Sequence, residues 1–258
     1  MIRILNLLAA AFFLLAGPGH AEQPSRLDDI VKRGTLRVGL TGDYMPFSSF
    51  DAATSKFRGF DVDMAEALGK ALGVKVEYVH TAWPQLMKDF EADNFDIAMG
   101  GVSITFDRQK KGMFSTPIMR EGKTPIARCT DKSKFETIAD IDKPGTRVIV
   151  NPGGTNERFA KANIKAAEIK TYNDNVTIFD EIAKGNADLM MTDASETRYQ
   201  QKLHAGVLCA VHPDKPFDFA EKAYWLQRDA ALKAFVDQWL HIATEDGSYK
   251  NIYAAWFE

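Results

Sequence analysis

The side chains best placed for chemistry follow the ends of strand-like runs. Asp43 and Tyr44 come after the run 35–40, and Gly101, Ser103 and Arg108 after 95–99. Asn151 and Thr155 come after 146–150, and Asp193 and Glu196 after 187–192. Open α/β sheets hold their ligands at the carboxyl ends of strands, so these groups could share one site. Arg108 offers a planar fork able to grip a carboxylate through two hydrogen bonds, which lysine cannot reproduce; the alternative is a solvated surface charge. Gly153-Gly154-Thr155-Asn156 lies between a strand and a helix, where free backbone donors and a helix N-terminus make an anion cup. A plain tight turn is the other reading, but Gly100-Gly101-Val102-Ser103 repeats the pattern earlier in the chain. Glu196 is either a functional carboxyl at the sheet edge or a surface glutamate opening a helix. Anion recognition is the chemistry these types suggest.

Other chemistries lack their signatures. His80, His204, His212 and His241 are scattered, with no His-x-His or His-Glu-x-x-His pair, so no catalytic metal is expected. There is no Gly-x-Ser-x-Gly elbow, phosphate loop or dinucleotide glycine pattern, so no cofactor is expected either. With 32 basic against 35 acidic residues, the chain carries no electrostatic footprint for nucleic acid or an anionic membrane. The 258 residues, 45% hydrophobic and 26% charged, suit one large globular domain or two small ones.

The elements that must position these groups begin after a leader. Arg3, the apolar run 5–16 and Gly19-His20-Ala21 read as a signal peptide cut after Ala21, the alternative being an uncleaved anchor. An exported chain meets oxidising conditions. Cys129 and Cys209, its only cysteines, then read as a disulfide, with two buried thiols as the alternative. Neither has a second Cys or a His at metal-ligand spacing. Strand-then-helix units come next: strand 35–40, a helix capped by Asp61 with Val62, Ala65, Leu68 and Leu72 on one face, strand 74–79, helix 83–90 and buried strand 95–99. The same grammar restarts after Thr124, with strand 146–150, helix 157–162, strand 169–172, helix 176–184 and strand 187–192. An amphipathic helix over 230–243 closes the chain. Such alternation predicts parallel sheets, while segment 48–58 yields no reading.

The run Gly59-Phe60-Asp61-Val62-Asp63-Met64-Ala65-Glu66-Ala67-Leu68-Gly69 resembles the signature of the bacterial periplasmic solute-binding proteins for polar amino acids. The 100–108 loop is similar to that family's ligand-carboxylate loop. The resemblance implies an α/β, two-lobed type II binding-protein fold, each lobe a mainly parallel sheet flanked by helices and joined by two crossovers near 124–128 and 220–226. One lobe would hold 22–126 plus 221–258 and the other 127–220. Thr81-Ala82-Trp83-Pro84, the 150–156 loop, Met190-Met191-Thr192-Asp193-Ala194-Ser195-Glu196 and the 216–224 stretch more narrowly resemble the periplasmic cyclohexadienyl dehydratases, over nearly all of the mature chain.

That family likeness implies a periplasmic lyase acting on prephenate or arogenate, with loss of water and carbon dioxide to give phenylpyruvate or phenylalanine. Hydroxide leaves poorly, so a protonated acid must stand beside it. Glu196 is the candidate, provided burial raises its pKa. Arg108 and Lys222 would take the substrate carboxylates, assisted by the backbone around Gly101, Ser103 and Thr105. Asn151 and Thr155 would supply polar contacts, Trp83 and Tyr44 would cover the ring, and Asp43 would orient a hydroxyl or a cation. Asp193 is compatible with the ammonium of arogenate and equally with an amino acid awaiting transport. The competing expectation is therefore a polar amino-acid receptor of a transporter, in which Glu196 is incidental. Whether the chain forms a homo-oligomer stays open.

Overall fold

A computed structural model describes residues 25–258; the leader, its cleavage after Ala21 and Arg3 lie outside the described residues. Two five-stranded sheets organise the chain. The first runs in the order Lys75–His80, Thr35–Leu40, Ile97–Ala98, Trp225–Leu226, Met113–Phe114, and the second Glu168–Thr171, Arg147–Val150, Leu189–Asp193, Lys123–Arg128, Leu208–Ala210. In each, the three strands from strand–helix units pair in parallel, the fourth runs antiparallel to them, and the fifth pairs antiparallel with the fourth. Leu36, Val38 and Leu40 in one sheet and Val148, Ile149 and Val150 in the other are wholly buried, as parallel strands covered on both faces require. Between the sheets, Met119–Glu121 and Ala220–Lys222 pair antiparallel, so the chain's two passages are bonded to each other.

The Phe60–Leu72 helix shows how the sequence sets the first sheet's edge. Met64, Ala65 and Leu68 pack inward at helical spacing. Asp61, expected as the cap, is not the cap. Gly59 holds that position at φ +139°, where a Cβ would come within 2.3 Å of the Phe47 carbonyl oxygen. Asp61 is buried in the first turn, and its carboxylate accepts the backbone N–H groups of Gly100 (2.8 Å) and Gly101 (2.7 Å). Those donors follow a strand end and find no ladder partner, so the side chain satisfies them. Burial, opposed by the Gly101 bond, pushes the Asp61 carboxyl up to about 6.

Three further elements depart from the expectations. Segment 48–58 forms a hairpin whose strands, Ser48–Asp51 and Lys56–Arg58, extend a small sheet begun by Asp43–Tyr44. The helix expected from residue 83 starts only at Leu86, because 83–85 is a turn. A last helix, Ser248–Phe257, lays Tyr249, Tyr253 and Phe257 edge-on against Phe60 at 5.3–6.2 Å.

Cys129 and Cys209 are joined in a disulfide with Cα atoms 4.8 Å apart, on chain segments already paired through Cys209 and Ala127. The bridge closes a loop of sequence separation 80, which chain-entropy reasoning values at about 4 kcal/mol. The Cys129→Ser/Cys209→Ser protein should lose stability of about that size in a chemical-denaturation titration.

Candidate active site

The carboxyl ends of the two sheets face each other across a nearly closed cavity of about 20 Å³, little more than one water molecule's room and far below the usual range of small-molecule sites. Tyr44, Trp83, Gly101 and Ser103 line it from one side, Asn151, Gly154, Thr155, Asn156, Asn175 and Asp193 from the other, and Lys222 from the crossover. Gly101 has φ +73°, and a Cβ there would lie 2.6 Å from the Tyr44 ring. The loop therefore approaches the cavity with bare backbone.

An ion cluster occupies the middle. Asp193, 2% exposed, accepts Lys123 Nζ on Oδ1 at 2.7 Å and Lys222 Nζ on Oδ2 at 2.6 Å. The Tyr44 hydroxyl also donates to Oδ2. Lys123 Nζ further donates to Thr155 Oγ1 (2.9 Å) and Asn156 Oδ1 (2.5 Å), and Lys222 Nζ to Ser103 Oγ (2.9 Å). Burial alone would raise the Asp193 carboxyl, but the two lysines hold it far below the usual range. Burial lowers Lys123, whereas the charges of Asp193 and Glu121 overcome burial and raise Lys222. Lys222, expected as a cation for substrate, is thus paired with Asp193, and an incoming ammonium would have to compete with two lysines. The Tyr44 ring is stacked on Phe47 at 5.1 Å and meets Trp83 edge-on at 5.6 Å.

Arg108 is 5% exposed, which removes the surface-charge alternative; it is not one of the lining residues and is linked to the cavity through Ser103. Its Nη1 donates to the Ser103 carbonyl at 2.8 Å, and among the described residues no carboxylate oxygen lies within 4.0 Å. Burial, with Arg158 adding repulsion, lowers its pKa to about 10. A buried guanidinium without a counter-ion is costly, so the position favours an anion.

Glu196 is 1% exposed, in the first turn of the Ala194–Leu203 helix, and is no surface residue. It stands behind the cavity wall. Asn156 Nδ2 donates to Thr192 Oγ1 at 2.9 Å, and the Thr192 hydroxyl donates to Glu196 Oε2. Oε1 is buried with no partner. Burial, partly offset by the Thr192 bond and reinforced by the charges of Asp193 and Asp43, pushes the carboxyl up to about 8. At neutral pH the acid holds its proton, and Oε1 is the oxygen free to present it. Asp43 is raised by burial, opposed by the Thr41 and Trp83 side chains that face it, and Asn151 Oδ1 and Asn175 Oδ1 are buried and unpartnered among the described residues. Buried polar atoms are normally satisfied, so their concentration around one cavity marks it as a ligand site.

Sequence reasoning misses Lys123, Asn156 and Asn175. Lys123 opens an apolar strand, and only its register opposite Asp193 reveals its role. Asn156 lies inside the glycine loop, where its type alone gives it no separate role. Asn175 Nδ2 donates to the Asp43 carbonyl at 2.9 Å, tying the two sides of the cleft, and a lone loop asparagine gives no signal of that. Gly153, at φ +84°, would place a Cβ 2.6 Å from Pro84 Cα, so it is a second close contact across the cleft.

The sequence profile of the bacterial extracellular solute-binding proteins, family 3, matches residues 36–258. A cyclohexadienyl dehydratase of Pseudomonas aeruginosa is 54% identical over 249 residues, covering 96% of this chain and 92% of that protein. The crystal structure of an ancestral amino acid-binding protein, described as a precursor of cyclohexadienyl dehydratase, superposes with a TM-score of 0.83 at 38% identity, covering 91% of this chain and 100% of the other. That of an ancestral cyclohexadienyl dehydratase, at 52% identity and covering 90% and 96%, superposes with a TM-score of 0.56.

Removing one member of a buried ion cluster strands the others. Asp193→Asn should lower the unfolding free energy by about 3–5 kcal/mol, seen as an earlier urea midpoint. Adding Lys123→Met, which removes a stranded charge, should recover part of that loss.

Proposed function

The chain belongs to the bacterial extracellular solute-binding proteins of family 3, and from that membership we propose that its ligand cleft has become an active site. It is a cyclohexadienyl dehydratase that converts prephenate to phenylpyruvate and arogenate to phenylalanine in the periplasm, delivered there by the leader 1–21. The observation that carries this reading is the buried, protonated Glu196 with an unpartnered Oε1.

A carboxylic acid that keeps its proton at neutral pH has little use in a receptor, but it is what a leaving hydroxide needs. Glu196 gives the proton from Oε1 to the ring hydroxyl and the C–O bond breaks. The carbon–carbon bond to the ring carboxylate then breaks, carbon dioxide leaves, and the released electron pair completes the aromatic ring. One proton is consumed and one water formed, so Glu196 is reprotonated from solvent.

Arg108 holds one substrate carboxylate with its fork. Lys222, released in part from Asp193, takes the other, and Asp193 then becomes the acceptor for the ammonium of arogenate. Trp83 and Tyr44 bound the ring, while Ser103, Gly101, Asn151 and Thr155 contribute polar contacts and Asp43 orients the hydroxyl. Closing the lobe of the second sheet, which includes the Lys123–Arg128 strand and so begins before residue 127, onto the lobe of the first brings Asn175 to Asp43 and Gly153 to Pro84, and desolvates the acid. The modest TM-score with a dehydratase half identical in sequence supports such movement, since two rigid lobes at a different angle superpose poorly as one body.

Purified protein mixed with prephenate near pH 7 should form phenylpyruvate, followed by its alkaline ultraviolet absorbance after subtraction of the slow background. Glu196→Gln should retain fold and binding but lose on the order of 10²- to 10⁴-fold in turnover. Unchanged turnover in that variant would sink the mechanism, and tight binding of a polar amino acid with no turnover would make the protein a receptor. Because the acid must be protonated, the rate should be flat through neutrality and fall as pH rises past about 8. Gly153→Ala, which props the closed cleft open, should lower kcat/KM on the order of tenfold.

A further inference from the structure

Away from the cleft, a second hollow of about 110 Å³, open to solvent, lies between the Ala194–Leu203 helix, the Ser248–Phe257 helix and the Met119–Glu121 strand. It shares no lining residue with the cavity described above. We infer that it is a separate binding site for an aromatic amino acid, with the ring against Tyr199 and Trp256, the carboxylate on Arg120 and Lys202, and the ammonium on Glu121.

The floor of the hollow carries two polar side chains with unused capacity. The Glu121 side chain is 4% exposed; its Oε2 accepts the Ser195 backbone N–H at 2.9 Å, and its Oε1 has no hydrogen-bond partner. Ser195 Oγ is also buried and faces the same carboxylate. Oε1 lies 3.6 Å from Lys222 Nζ, too far for a hydrogen bond. The floor thus offers an acceptor suited to an ammonium and a hydroxyl able to donate or accept.

The rim has the opposite sign. Arg120 is exposed, its guanidinium lies over the Phe219 ring at 4.8 Å, and among the described residues no carboxylate oxygen lies within 4.0 Å of it; Lys202 Nζ reaches the backbone oxygens of Phe257 (3.2 Å) and Glu258 (2.8 Å). Tyr199 and Trp256 also line the hollow. A plain anion would leave Glu121 unsatisfied, a plain amine would leave Arg120 unused, and a sugar would gain little from the rings. A zwitterion with an aromatic side chain uses all three.

The test is calorimetric titration of the full chain with L-phenylalanine while the Trp256 indole N–H signal is followed by NMR. Binding that shifts Trp256 should persist in Arg108→Ala, which disables the main cleft. It should weaken by at least about tenfold in Arg120→Gln/Lys202→Gln, two exposed positions whose replacement should leave the unfolding midpoint and prephenate turnover unchanged. 3-Phenylpropionate, lacking the ammonium, and phenethylamine, lacking the carboxylate, should each bind at least about tenfold less tightly than L-phenylalanine. The inference fails if Trp256 does not move at millimolar L-phenylalanine. It fails equally if binding is lost in Arg108→Ala yet untouched in the double variant, or if 3-phenylpropionate binds as tightly. None of these outcomes depends on whether the main cleft turns over prephenate.

Discussion

Asp193 between Lys123 and Lys222 is the interaction on which the rest of the site depends. The aspartate ends a central strand of the second sheet, Lys123 opens the neighbouring strand of that sheet, Lys222 stands on the crossover between the sheets, and Tyr44, bonded to the same carboxylate, comes from the first side. One buried carboxylate therefore pins the hinge to both sides of the cleft. Through Lys123 it also fixes Thr155 and Asn156, and through Asn156 and Thr192 it reaches Glu196. A cluster of this kind is seldom a net gain in stability, because desolvating three charges offsets most of their attraction. Its value is positional: it sets the register of every polar group that faces the ligand.

The same desolvation acts in opposite directions on two neighbours. Burial pushes the Glu196 carboxyl up to about 8 and the Arg108 guanidinium down to about 10. Glu196 is consequently neutral at pH 7, whereas Arg108, starting from a much higher value, stays charged. The result is a cleft with a proton to give and an unpaired cation, which suits a carboxylate ligand that must shed hydroxide. Had the acid been solvated, its pKa would sit near its ordinary value and it would be an anion facing an anionic substrate. The negative field of Asp193 contributes too, so the central ion cluster and the acid are electrostatically one system.

Much of this was legible in the sequence, for reasons that can be named. Parallel strands buried on both faces announce themselves as short apolar runs, and the residues just past their carboxyl ends mark the site, so Ser103, Arg108, Asn151, Thr155, Asp193 and Glu196 could be picked out by position. The disulfide could be inferred from export and from the presence of only two cysteines. The hidden part depends on tertiary register. Lys123 and Asp193 are 70 residues apart, and only an antiparallel pairing brings them together. Asp61 looks like a cap because a carboxylate in a first turn usually is one; the decisive fact is that the Gly100–Gly101 backbone needs an acceptor from elsewhere. The hairpin over 48–58 has a polar, turn-rich sequence without clear alternation, and its fold is dictated by packing on the loop after the first strand.

Closure is where binding becomes catalysis in this reading. In the structure the Asp43 charge reaches Glu196, and Asn175 bonds the Asp43 carbonyl across the cleft. Parting the lobes would admit water and withdraw the Asp43 charge, and both changes lower the Glu196 pKa. The open protein would tend to hold an ionised glutamate, the closed one a protonated acid. Substrate anions seated on Arg108 add negative charge nearby and push the equilibrium further toward the acid, so the ligand helps load the proton that expels its own hydroxyl. A receptor needs closure only to retain its ligand; with a buried carboxyl at position 196, the same closure also sets a protonation state. The step from receptor to lyase is therefore small in structure, because the machinery that desolvates the ligand already desolvates the acid.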